Sequence, residues 1–258
     1  LHSDTAISPL GLDTYGSRSL AVGGVAISMA CDKVIDKARL IAAHQLEANP
    51  DDLEFEGGRF GVKGSPDKGL LIQEVAYGAF TAHNLPDGME PNLNEQMVFD
   101  PPNFAFPFGT HIAVLEVDEN TGEVELLDYI AVDDCGNQVN PLIVEGQVHG
   151  GIVQGVAQAL FEGAVYDEEG QCKNPSFLDY LVPSTMEVPS IKTDYTYTPS
   201  TSNPMGVKGV GEAGTIGSAA AVINGICDAL SHHGIVDMEM PASPMRVWKT
   251  IQQAKAGA

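Results

Sequence analysis

Apolar and polar positions alternate along this chain in short, heavily punctuated runs. Between Gly24 and Ala48, the residues Val25, Ile27, Met29, Val34, Ala38, Ile41 and Leu46 recur at broadly helical spacing, with Lys and Asp between them. The spacing predicts a long amphipathic helix that stops before Asn49-Pro50, where proline cannot continue it. Leu53 to Glu56 alternates, Gly57-Gly58 turns, and Phe60-Gly61-Val62 returns, which predicts a small hairpin. A short helix is expected over 72–82. Residues 83–110 are rich in Pro, Asn and Phe and show little periodicity, and a loop of that length usually carries function or an interface. The run HIAVLEVDENTGEVELLDYIAVDD (111–134) reads as two strands about an Asn-Thr-Gly turn, the clearest hairpin in the chain. Residues 141–163 predict a helix broken or kinked at Gly150-Gly151. Strand-like pieces follow at 177–182 and 194–198, then a helix of small residues over 215–230 and a last helix over 244–255. Helices and hairpins interleave without strict strand–helix alternation, so the expected class is α+β, with no internal repeat.

Composition narrows what such a fold can do. The chain has 258 residues, 28 of them Gly and 16 Pro, enough for one large or two small domains with many turns. No apolar run is long enough to span a bilayer. The opening residues 1–24 read as loop rather than as a charged-then-apolar leader, so a cytoplasmic setting is expected. Thirty-five acidic residues against thirteen basic ones give a net charge of −22, spread along the chain. That charge repels phosphate backbones and anionic lipid, which argues against a nucleic-acid or membrane partner. Adaptation to high salt is a second reading of the same acidity. The cysteines at 31, 135, 172 and 227 show no short Cys-x2-Cys spacing and read as free thiols in a reducing compartment. Cys135 in particular reads as a packed small hydrophobe, and His149 as a histidine satisfied by packing.

Chemistry concentrates in residues 203–225, NPMGVKGVGEAGTIGSAAAVING. Gly209-Val-Gly211-Glu-Ala-Gly214 has the letters of a dinucleotide fingerprint, but Asn203, Pro204, Met205, Gly206 and Lys208 make a poor strand before it. Glu212 would also place a negative charge where a pyrophosphate should sit. A tight backbone loop leading into a closely packed helix fits better, with Gly214, Gly217 and the alanines 219–221 removing side-chain bulk. Such a loop can turn backbone N–H groups toward an anionic ligand, with Lys208 adding charge. For Glu212 the residues alone leave two readings, a helix-start acid favoured by the dipole and a functional carboxylate in a glycine-dense frame.

The same stretch, extended to NPMGVKGVGEAGTIGSAAAVINGICDAL, resembles the glutamate-bearing segment of the xanthine dehydrogenase and aldehyde oxidase family of molybdenum hydroxylases. Within that family it is most similar to large, molybdopterin-binding subunits of the aerobic carbon monoxide dehydrogenase type. The resemblance implies that Glu212 stands beside molybdenum as the catalytic base, with Lys208, Gly209 and Val210 against the cofactor. DTYGSRS at 13–19 resembles the family's pterin-contacting loop and implies that Thr14, Tyr15, Gly16, Ser17 and Arg18 lie near the dithiolene, phosphates or nucleotide. Arg18 would supply a fixed donor fork there; its plain alternative is a loop Arg paired with an acid. AVDDCGNQVNPLIVEGQVHGGIVQGVAQAL at 131–160 resembles a further cofactor segment and implies Asp134, Asn140 and Gln147 as hydrogen-bonding neighbours of a pterin or nucleotide edge. Asn140-Pro141 alone is equally a sound helix start.

The resemblance runs through DPPNFAFPFGTH and DMEMPASPMRVW and so covers nearly the whole chain. Residues 1–258 are therefore expected to be the carboxyl-terminal portion of a molybdopterin-cofactor-binding region, a fragment or one piece of a split subunit. The implied cofactor is molybdenum held by a pterin dithiolene, as the cytosine dinucleotide, with no protein side chain named as metal ligand. The implied partners are the rest of the large subunit and subunits carrying iron–sulfur clusters and FAD. The implied reaction is oxidative hydroxylation of an aldehyde, an N-heterocycle or carbon monoxide. The alternative is a non-catalytic cofactor-docking or subunit-interaction module when the piece is isolated.

Overall fold

The computed structural model describes residues 4–6, 14–188 and 190–257. Residues 1–3 and 7–13 of the expected opening loop lie outside them, and its last residues, Leu20–Gly24, form a helical turn instead. The chain divides into two compact units, residues 22–100 and the remainder.

In the smaller unit the predicted long helix is α1 (Val25–Gln45), entered through a widened helical turn at Leu20–Gly24. The predicted hairpin is β1 (Leu53–Glu56) and β2 (Arg59–Val62), joined at Gly57-Gly58 with φ of 56° and 78°. Glycine meets that left-handed requirement without steric cost, which is why a two-residue hairpin turn forms here. A third antiparallel strand, β3 (Ser65–Leu71), completes the sheet; Pro66 within it had hidden it from the sequence pattern. Helix α2 (Ile72–Thr81) starts where the Glu74 carboxylate accepts the Leu71 N–H at 2.7 Å. Ala38, Ile41, Phe60, Val75 and Ala79 are fully buried and form this unit's core, with Phe55 packed on Phe60 across the hairpin.

The larger unit is built on β4 (Phe108–Val117) and β5 (Val124–Asp134), an antiparallel pair, with β6 (Ile191–Tyr195) parallel to β5. Helix α3 (Pro141–Leu160) lies on the connection from β5 to β6. Helices α4 (Ala213–Ala229) and α5 (Pro244–Gly257) close the unit. The α+β class stands, with mixed sheets and flanking helices. Tyr129, Val148, Ile152, Val156, Val222, Ile226, Val247 and Ile251 form one continuous core.

Three expectations are corrected here. Helix α3 runs unbroken through Gly150-Gly151, and its glycines serve close approach instead. A Cβ on Gly151 would sit 2.9 Å from the Thr215 amide, and one on Gly155 3.0 Å from that of Ala219. Residues 177–182 form turns, with Phe177 and Leu178 exposed, because no neighbouring strand offers a ladder; Tyr180 N–H turns back to the Ser176 carbonyl at 2.8 Å. The piece expected at 194–198 begins earlier as β6, in register with Tyr129 to Asp133.

Beneath α4 runs a buried polar chain. His111 Nδ1 meets the Tyr129 hydroxyl at 2.9 Å, and His111 Nε2 meets Asp133 Oδ1 at 3.3 Å. Burial, reinforced by Asp133, pushes the Tyr129 phenol well above its usual range, so it remains a proton donor. The His111 ring thus bridges the Tyr129 hydroxyl and the Asp133 carboxylate. Gly217 of α4 lies directly over the imidazole, where a Cβ would come within 2.6 Å of Nδ1.

Candidate functional site

The site is assembled in the larger unit from three segments brought together by α3, α4 and the end of β5. Residues 203–212 form an irregular loop. Asn203, nearly buried, clamps it by donating from Nδ2 to the Val207 carbonyl (2.9 Å) and accepting the Val207 N–H (3.2 Å). Gly206 turns the chain at φ 65°, Val207 bridges to Gly136, and Lys208 N–H donates to the Cys135 carbonyl at 2.8 Å. No strand runs directly into Gly209, since β6 ends at Tyr195, which removes the structural context a dinucleotide fingerprint needs.

Glu212 is the residue at which α4 begins, yet its side chain makes no capping bond to that helix. It turns instead to Ser17. The Ser17 hydroxyl donates to Glu212 Oε2 at 2.6 Å and accepts the Glu212 N–H at 2.9 Å. Gly16 and Ser17 both have left-handed backbones, φ 60° and 55°, and this tight turn aims the hydroxyl at the loop. A serine seldom adopts that conformation unless its surroundings impose it, and strain of this kind clusters at functional sites. Gly209 is what admits the turn: a Cβ there would lie 2.6 Å from Ser17 Cβ and 2.7 Å from the Ser17 carbonyl.

A cavity of about 600 Å³ opens beside this clasp. Of the expected site residues, Thr14, Tyr15, Ser17, Asn140, Gln147, Lys208, Gly209, Val210 and Glu212 line it. Gly16, Arg18 and Asp134 do not. Arg18 stacks over the Tyr15 ring at 4.1 Å and donates to its hydroxyl at 3.1 Å, so it braces the 14–18 turn. Thr14 and Ser19 hydroxyls pair across the same turn. Asn140 caps α3, its Oδ1 accepting the Ile143 N–H at 3.3 Å, so the plain reading of Asn140-Pro141 holds alongside its place on the wall. Gln147 stands nearly two turns further along α3, its Oε1 against Gly211.

Asp134 is completely buried behind the wall. One oxygen accepts from Lys208 Nζ at 2.9 Å and from the Gly136 N–H at 3.0 Å; the other accepts from Thr196 at 3.0 Å. Burial alone would raise its pKa, but the Lys208, Gly136, Thr198 and Thr196 hydrogen bonds together hold it at about 2. Its charge therefore anchors the Lys208 loop from behind, and the Lys208 ammonium also sits 4.5 Å from the Phe108 ring centre. Sequence reasoning missed Cys135, Asn137, Val139, Ile143, Val144 and Gly211 as wall residues, and Asn203, Phe108 and Thr196 as supports. Cys135, Val139 and Gly211 carried a signal through their immediate neighbours, as did Ser19, which also lines the wall beside Leu20. Burial pushes the Cys135 thiol up, consistent with a packed residue rather than a nucleophile.

The sequence profile of the molybdopterin cofactor-binding domain matches residues 1–189. The chain belongs to that family. Relatives align beyond the matched region, through Glu212. The carbon monoxide dehydrogenase large chain of Hydrogenophaga pseudoflava is 42% identical over 97% of this chain and 31% of its own length. The 6-hydroxypseudooxynicotine dehydrogenase complex subunit gamma of Paenarthrobacter nicotinovorans is 37% identical over 98% of this chain and 32% of its own. A crystal structure of the Cu,Mo-CO dehydrogenase in its carbon monoxide reduced state superposes with a TM-score of 0.89 at 39% identity, over 98% of this chain and 32% of that one. The chain thus spans about a third of the length of the family members it matches. No helix among the described residues is long and apolar enough to cross a membrane.

The donor set suits a molybdopterin group. Amide side chains at Asn140 and Gln147 offer paired donors and acceptors for a pterin or base edge. Backbone at Gly209 and Gly211 is bare of Cβ atoms, so a flat ligand can approach it closely.

Proposed function

We propose that this chain forms the carboxyl-terminal part of the cofactor pocket of a molybdenum hydroxylase, with Glu212 as its catalytic base. The observation that carries the reading is the clasp of Ser17 on Glu212 at the mouth of the cavity. A helix-start acid with only a structural task would turn back on its own N–H groups. Glu212 instead has one oxygen fixed by Ser17, while Oε1 takes no hydrogen-bond partner among the described residues. A carboxylate held this way can accept a proton at Oε1 without losing its orientation.

In the intact enzyme, molybdenum on the pterin dithiolene, in the cytosine dinucleotide form, would supply the redox chemistry of an oxidative hydroxylation. Residues Thr14 to Ser17 and Gly209 to Gly211 would shape the cofactor's seat, and Asn140 and Gln147 would fix its polar edge. Arg18 would keep the turn at 14–17 in shape. Lys208 and Asp134 would hold the loop that presents Glu212. Electrons would leave to iron–sulfur clusters and FAD on partner subunits, and the remaining pocket walls would come from the rest of the large subunit. The names of two relatives, a carbon monoxide dehydrogenase and a 6-hydroxypseudooxynicotine dehydrogenase, support carbon monoxide or an N-heterocycle as the substrate class, and the family resemblance adds an aldehyde.

Glu212→Gln in the intact enzyme keeps the pocket's shape and removes the base. The expected result is normal molybdenum and pterin content with turnover reduced by roughly 10²–10⁴-fold. Turnover within a few-fold of the unsubstituted enzyme would remove Glu212 from the role.

A further inference from the structure

Away from the cavity, the larger unit carries a second convergence of ionisable side chains. Glu119 sits in the turn between β4 and β5, which is held by the Asn120 N–H on Asp118 Oδ1 at 2.8 Å and the Gly122 N–H on the Asp118 carbonyl at 2.7 Å. His232 and His233 sit in the short helical turn Ser231–His233 that follows α4. Their rings lie 4.0 Å apart. His232 Nε2 meets Glu119 Oε1 at 2.9 Å, and His233 Nε2 meets Glu119 Oε2 at 2.8 Å. The three ligand-type atoms lie within 4.8 Å of one another. Lys255, from the last turn of α5, completes the cluster with Nζ 2.8 Å from Glu119 Oε2.

We propose that Glu119, His232 and His233 form a binding site for a borderline divalent ion of the zinc(II) class, in competition with the Lys255 ammonium. Two imidazole Nε2 atoms and a carboxylate are ligands that zinc prefers over calcium or magnesium, which seek oxygen. Ligand atoms around a tetrahedral zinc lie about 3.3–3.5 Å apart, given bonds of about 2.0–2.1 Å, so shifts on the order of 1 Å close the site. Three protein ligands leave a fourth position to water. His233 is largely sheltered, whereas His232 and Lys255 are about half exposed, so the ligands can adjust and the lysine can swing out to solvent. The net charge of −22 raises the local concentration of divalent cations around the chain. An ion there would pin the β4–β5 turn to the end of α4, a clasp independent of the molybdopterin pocket and of its assignment.

The test is calorimetric titration of zinc chloride into the intact protein, prepared without a histidine tag and freed of adventitious ions, with cobalt(II) absorption as a readout of coordination. The expected result is one zinc equivalent that is lost in His232→Ala/His233→Ala and weakened at least ten-fold in Glu119→Gln. It is tightened several-fold in Lys255→Gln, because the competing cation is gone. Zinc should also raise the melting temperature of the unsubstituted protein but not that of the double variant. The Lys255→Gln arm separates this proposal from a plain ion-pair cluster, since losing an ion-pair partner would only loosen such a cluster. Uptake unchanged in the double variant, or weakened by Lys255→Gln, overturns the site.

Discussion

Ser17 uses its hydroxyl in both directions on one neighbour, donating a hydrogen bond to the Glu212 carboxylate and accepting one from the Glu212 amide. Removing the hydroxyl deletes a hydrogen bond to a charged group, a loss of about 1.5–3 kcal/mol. Ser17→Ala is therefore expected to lower kcat by roughly 10- to 100-fold with a smaller change in KM, and to shift the pH profile of kcat/KM. A variant with an unchanged profile would leave Ser17 a merely structural residue. Asp134 gives a second residue-scale prediction. Its folded pKa of about 2 lies below the value of about 3.9 expected for an unfolded Asp. The stability it contributes is thus complete above about pH 5 and drains away as pH falls toward 2. Urea midpoints measured down through that window should fall more steeply for the unsubstituted protein than for Asp134→Asn. Lys208→Met should cost about 3–5 kcal/mol, since it leaves the buried Asp134 charge without its partner. Neither pairing was legible in the sequence. Lys208 and Asp134 are 74 residues apart, Ser17 and Glu212 are 195 apart, and no local pattern records who meets whom. The Asn140 cap was legible because its signal, Asn before Pro, is entirely local.

Elements were read well wherever periodicity was internal to them. Helix α1, helix α2, the β4–β5 hairpin and the small-residue helix α4 all lie within a few residues of their expected bounds. The failures share one cause. Gly150-Gly151 looks the same in sequence whether it breaks a helix or lets another helix approach, and only the presence of α4 decides. Residues 177–182 have strand-like composition but no edge to pair with, while β6 found its edge three residues earlier than expected. The close α3–α4 contact makes its own prediction. Gly155→Val would drive a branched side chain into the Thr215 carbonyl and the Ala219 amide, each 3.0 Å from the first added carbon. Overpacking of this kind costs about 1–3 kcal/mol, read as a lower denaturation midpoint; Gly146→Ala, inside the same helix with no atom within 4 Å, should instead hold or slightly raise the midpoint. Similar losses in both would mean that the α3–α4 approach does not set the cost, since helix propensity favours either replacement over Gly.

The whole molecule carries far more negative charge than its ion pairs can offset. Unscreened repulsion among 35 acidic residues opposes compaction, so added salt should raise the melting temperature by about a few degrees between low and moderate ionic strength. A flat response would show that neighbouring groups already neutralise the acids locally. The family match and the two-unit division belong to this scale too, and the sequence foresaw the first through its motifs while leaving the number of domains open. The pocket rim has a consequence in time as well as in space. One side of it, Thr14 to Ser17, leaves the ribosome long before the other, Gly209 to Glu212, and the two can touch only after a loop of 195 residues has closed. Until α4 has been synthesised and docked, a nascent chain offers half a seat. On the proposed cofactor reading, the seat is complete only once α4 is in place, so the cofactor would enter after synthesis of this region rather than during it.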